Sequence, residues 1–148
     1  MSTTVNIERP EVVLDLPSRN VTLLVNQGGL VPISDDVSLT AGVNLSALRA
    51  VTTDGVGAAV YASNDTVANA VVVGITFTAA SAGQSVQIKT SGIIEDAGWT
   101  WTKGAVFLGT NGTLTQSAPT GGAVVVQVGR AITPTKLQID IEPIIETV

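Results

Sequence analysis

Both tryptophans of this 148-residue chain fall two residues apart in "GWTWTKG", as Trp99 and Trp101, with Lys103 close behind. On an extended segment that spacing puts both indoles on one side. Sugars stack on flat apolar rings with a polar edge, so Trp99 and Trp101 are candidate glycan contacts. The competing role for the pair is structural: capping the end of a barrel or filling a subunit contact. Carboxylates are the other groups able to do chemistry. Asp35-Asp36 in "VPISDDVSL" and Glu95-Asp96 in "GIIEDAGW" are adjacent pairs, and Asp140, Glu142 and Glu146 recur at the spacing of one strand face. Calcium asks for roughly six or more oxygens, and no further ligands stand at a suitable spacing from either pair. Polar turns are the expected role of the two pairs. A solvated edge that discourages edge-to-edge pairing is the expected role of the last three.

The chain contains no histidine and no cysteine, which removes disulfides, thiol nucleophiles, zinc fingers, imidazole bases and Ser-His-Asp triads together. No serine or threonine has a recognisable base beside it, and the glycines of "DGVG" and "PTGGAVV" lack the strand-then-helix context of a phosphate loop. The composition therefore predicts no enzyme and no cofactor. Net charge is −5 with seven basic residues scattered singly, so no basic stripe exists to follow a nucleic-acid backbone.

The elements that must position these residues read as β throughout. Hydrophobic residues make up 45% and charged residues 13%, with a mean hydropathy of +0.42. Valine, threonine, isoleucine and glycine dominate, and turn signals recur at short intervals. "KLQIDIE" alternates Leu137, Ile139 and Ile141 against Lys136, Gln138, Asp140 and Glu142, a period of two. "SVQIK" sets Val86 and Ile88 inward, "AVVVQVG" groups Val124, Val126 and Val128, and "VVVGITFT" aligns Val71, Val73, Ile75 and Phe77. Further strands are expected at Ala50–Thr53, Ala58–Ala62 and Ala105–Leu108, with one helical turn conceivable in "NLSALRA". Asp54-Gly55, Asn64-Asp65, Ala82-Gly83, Asn111-Gly112 and Gly121-Gly122 mark the reversals. Asn111-Gly112 is the strongest of them, a pair that tolerates positive φ at both centres of a tight hairpin.

The first 29 residues read differently. Two apolar extended runs, "EVVLDL" and "VTLLV", flank Pro17-Ser18, and the second leads to Gly28-Gly29. They predict an arm over 1–29 that pairs with another copy or another protein, ahead of a β-rich knob over 30–148. Val12, Leu14, Leu16, Val21, Leu23 and Val25 are its candidate contacts with a partner protein or another subunit. The alternative is that the two runs supply the first strands of the same domain. No apolar run approaches the ~20 residues of a membrane-spanning helix, and the N-terminal stretch has no basic region followed by an apolar one, so neither a membrane partner nor a secretion signal is expected. The excess of apolar residues is then expected to be hidden between subunits, as in a homotrimer that shares a core.

From Leu48 to Pro143 the order of motifs resembles a small β-domain of tailed-bacteriophage virion proteins. The segments that carry the likeness are "VVVGIT", "SAGQSVQIKTSGII", "KGAVFLGTNGTLTQSAPT" and "VVQVGRAITPTKLQIDIEP". Such domains occur in head-fibre and capsid-decoration proteins and as modules of tail fibres. The resemblance implies an all-β barrel or sandwich of short antiparallel strands with an extended N-terminal arm. It also implies a structural protein on the capsid exterior that binds the major capsid protein and stabilises the shell, assembled in the host cytoplasm, where the absence of cysteine costs nothing. Two other readings stand beside it: a tail-fibre or spike module whose Trp99 and Trp101 meet host-surface glycans, and a secreted bacterial carbohydrate-binding module.

Overall fold

β-Branched residues and frequent turns produce a chain of short antiparallel strands. The structure, a computed structural model, describes residues 11–16, 19–26, 29–32, 36–120 and 124–146. The turn pairs Pro17-Ser18 and Gly121-Gly122, together with Gly28 and Asp35, lie outside the described residues. The chain forms two compact units, Met1–Ser34 and Asp35–Val148.

In the first unit, β1 (Glu11–Leu16), β2 (Arg19–Asn26) and β3 (Gly29–Pro32) form an antiparallel sheet in the order β1-β2-β3. The register sets Val12 opposite Leu23 and Leu14 opposite Val21, while Val25 lies opposite Leu30. Val12, Leu14, Val21 and Leu23 thus occupy matched alternate places on paired strands, while Leu16 lies opposite Arg19. Gly29, expected as a joint at the end of the arm, instead opens a third strand that the apolar runs did not announce.

The second unit holds two five-stranded sheets and a two-stranded one. One large sheet runs β4-β8-β7-β5-β6, from β4 (Asp36–Thr40), β5 (Ala50–Thr53), β6 (Ala59–Tyr61), β7 (Gly74–Thr76) and β8 (Ser85–Lys89). The other runs β11-β10-β13-β14-β9, from β9 (Gly92–Glu95), β10 (Gly104–Leu108), β11 (Leu114–Thr115), β13 (Gln127–Thr133) and β14 (Lys136–Ile139). Between Val124–Val125 (β12) and Ile145–Glu146 (β15) runs the small antiparallel ladder.

Side chains from both large sheets share one core. Ala50 and Ile75 from the first meet Ile94, Val106, Leu108, Val128, Leu137 and Ile139 from the second. The β class is as the alternation predicted, and of the barrel and the sandwich the two sheets form a sandwich. A second cluster, Val51, Ala59, Val86 and Ile88 with Ala41 and Leu45, covers the opposite face of the first sheet. The alternation in "SVQIK" and "KLQI" is realised residue by residue, with Val86, Ile88, Leu137 and Ile139 buried and Gln87 and Gln138 exposed.

Three details differ from expectation. "VVVGITFT" contributes only Gly74–Thr76 as strand; Ile75 is buried, but Val71 and Phe77 are 52% and 58% exposed. Segment 42–49 forms no helix, because Leu48 takes φ 61 and its amide bonds the Thr76 carbonyl at 2.8 Å. β14 ends at Ile139, so Asp140, Glu142 and Glu146 do not share one strand face; Glu146 belongs to β15. No helix among the described residues is long and apolar enough to cross a membrane.

Candidate functional site

The described members of the carboxylate pairs resolve into local structure. Asp36 lies in β4 and its carboxylate stands 3.5 Å from the Lys89 ammonium. Glu95 ends β9, 3.6 Å from Lys136, and Glu142 stands 3.9 Å from Arg130. Asp96 accepts the Gly98 amide at 2.8 Å, a side-chain turn of the kind expected there. No group of three or more acidic side chains gathers at metal-binding distance among the described residues.

The tryptophans are the centre of a built cleft. They sit in the connection between β9 and β10, off any strand, so the same-face argument from strand geometry does not apply to them. Their ring centroids are 5.6 Å apart and their planes are tilted by 55°. Both are partly buried, packed against the shared core, and both line a cleft of about 380 Å³ together with Ala47, Leu48, Arg49, Thr113 and Leu114. Lys103, expected beside the pair, is not among these residues. The cleft falls at the lower end of the ~300–1,000 Å³ typical of small-molecule sites.

Three segments far apart in sequence meet there, each fixed by its own hydrogen bonds. In the tryptophan segment, the Trp99 amide bonds the Asp96 carbonyl at 3.2 Å and the Trp101 amide bonds the Pro134 carbonyl at 2.9 Å. Just beyond it, the Thr102 amide donates to Gln116 Oε1 at 2.9 Å. The Ala47–Arg49 wall is held by Thr76, whose fully buried hydroxyl donates to the Ser46 carbonyl at 2.7 Å and accepts the Arg49 amide at 3.0 Å. A buried hydroxyl with both partners in place acts as a clamp, since leaving it unpaired costs about 1–3 kcal/mol.

The third wall is the Asn111-Gly112 turn. Positive φ occurs at both residues, 51° and 70°, as the pair implied. The loop is wider than a two-residue hairpin, however, with Leu108 opposite Leu114 and a 3₁₀ turn over Thr110–Gly112 between them. Gly112 is buried and its amide bonds the Ala62 carbonyl at 2.6 Å; a Cβ there would collide with the Ala50 carbonyl oxygen. The turn is therefore pressed against β5, which brings Thr113 and Leu114 beside Arg49.

One charged side chain lines the site. Arg49 takes no part in an ion pair among the described residues. The Trp101 indole nitrogen is buried without a hydrogen-bond partner. Sequence reasoning named the two tryptophans and missed Arg49, because "NLSALRA" holds no spacing that relates it to residues fifty positions away. The arm positions Val12, Leu14, Leu16, Val21, Leu23 and Val25 lie on β1 and β2, and their side chains lie outside the described residues. No protein-family model matches the chain, and no curated protein matches it.

Proposed function

We propose that this chain is a structural protein of a tailed-bacteriophage particle, a capsid decoration protein that attaches through its N-terminal unit and presents the β sandwich outward as a homotrimer. The observation that carries the reading is the separate three-stranded unit ending at Ser34. In the order β1-β2-β3, the outer strands β1 and β3 each pair on one side within the sheet. Open strand edges are templates for adding strands from a partner, and the apolar character of "EVVLDL" and "VTLLV" suits a capsid surface. Exposed apolar side chains on the second unit, such as Phe77 and Ile145, support burial between copies. Co-sedimentation with capsids tests the attachment. The full chain should decorate particles, and a chain beginning at Asp35 should remain folded but stay in the supernatant. Normal occupancy by the shortened chain would place attachment in the sandwich and overturn the division.

The tryptophan cleft favours a second reading, a tail-fibre or spike module that contacts host-surface glycans. Adsorption of the purified protein to host cells, with no binding to capsids, selects it.

A further inference from the structure

We infer that the Trp99–Trp101 cleft binds a sugar residue bearing a carboxylate, of the uronic or sialic acid class, with the indoles taking the ring and Arg49 the acid group. The inference rests on the cleft and holds on a capsid or on a fibre: cell adsorption can fail while sugar binding succeeds, and the reverse.

Shape comes first. Two indoles with centroids 5.6 Å apart and planes tilted by 55° pack against each other, and together they form an angled aromatic wall of the cleft on which one sugar ring can stack. Aromatic faces bind the C–H face of a pyranose, whose hydroxyls remain free at its rim. The walls are preformed, because the hydroxyl of Thr76, donating to Ser46, and the carbonyls of Pro134 and Ala62, accepting from Trp101 and Gly112, hold all three segments. Preformed walls reduce the ordering cost that weak ligands cannot otherwise offset. At the Arg49 wall, Leu48 is held at φ 61, a conformation that costs a residue with a Cβ and persists where surrounding bonds over-determine it.

Charge selects the acid. Arg49 lines the same cleft as the indoles and takes no part in an ion pair among the described residues, and a guanidinium is a fork of donors matched to a carboxylate. The chain carries a net charge of −5, so long-range attraction does not draw anions in, and recognition must come from contact inside the cleft. Weak affinity is expected, with a dissociation constant of about 1 mM for a single sugar residue.

Intrinsic fluorescence is a clean probe, because the chain's two tryptophans both line the cleft. The full chain is titrated with sodium glucuronate and with N-acetylneuraminate at constant ionic strength, against glucose and sodium acetate. A saturable change with both acidic sugars, and responses to glucose and acetate at least tenfold weaker, is expected. Arg49→Gln should weaken acidic-sugar binding by about 10-fold or more, as loss of a charged hydrogen bond does, with an unchanged melting temperature. Trp99→Phe, which keeps an aromatic ring, should retain binding where Trp99→Ala loses it; amide NMR shifts confirm that each variant is folded and report binding independently. No saturable change up to about 50 mM, some fifty times the expected constant, overturns the site. Equal response to glucose or acetate, or wild-type binding by Arg49→Gln, overturns the role of the acid group.

Discussion

Gly112 illustrates how one residue answers two demands at once. Its φ of 70° excludes most side chains, and the space its Cβ would need is filled by the Ala50 carbonyl. Gly112→Val should therefore cost more than the roughly 1–2 kcal/mol of left-handed strain alone, and unfolding in urea should show a loss of about 3 kcal/mol or more. A variant with the parent's midpoint would mean the turn is not packed on β5. Thr76→Val keeps the shape and removes the clamp; it should cost about 1–3 kcal/mol and loosen the Ala47–Arg49 wall, visible as faster amide exchange at Leu48 and Arg49. Asp65 offers a titration test. The Asn69 side chain, donating at 3.0 Å, holds its carboxyl below the usual value of 3.8. A depressed folded pKa contributes stability above the unfolded pKa, and that contribution disappears as pH falls through the folded value. Asn69→Ala should move the Asp65 titration upward in carboxyl NMR, and an unmoved midpoint would refute the hydrogen bond as its main cause.

At the scale of elements, β14 shows why alternation is a strong signal. It lies between β13 and β9, so its backbone is paired on both sides and its inward residues reach the shared core. Leu137→Ala should cost about 2–5 kcal/mol, whereas Gln138→Ala on the opposite face should stay within about 0.5 kcal/mol. The reverse order of losses would mean that the strand register is shifted by one. The arm sheet poses the contrasting case. Its two apolar runs announced β1 and β2, while β3 carries no pattern of its own and is fixed by pairing with β2.

For the whole molecule, the concern is apolar surface. Val56 is 90% exposed, Ile145 62% and Phe77 58%, beside a mean hydropathy of +0.42. Scattered singly these residues are unremarkable, but the composition is high for a chain that stays apart. Sedimentation at micromolar concentration should show a trimer, and Phe77→Ser or Ile145→Ser should shift it toward monomer if either lies in the contact. A monomer for the parent chain would sink the shared-core proposal. Circular dichroism should show a β spectrum with no helical bands, since the described residues contain no α-helix.

Sequence alone determined the β class, the places of most turns and the buried faces of β8 and β14, because alternation and positive-φ pairs are local properties of the chain. It also drew attention to Trp99 and Trp101. Tertiary structure decided the rest. Whether an apolar residue is buried depends on what covers it, so Ile75 entered the core while Val71 and Phe77, in the same run, stayed exposed. The third arm strand, "GLVP", is too short for a pattern and exists through its pairing with β2. The cleft has no local signature at all: Arg49, Trp99, Trp101 and Thr113 come together because Thr76, Pro134 and Gly112 fix three loops across the sandwich, and hydrogen bonds over such separations leave no period in the sequence.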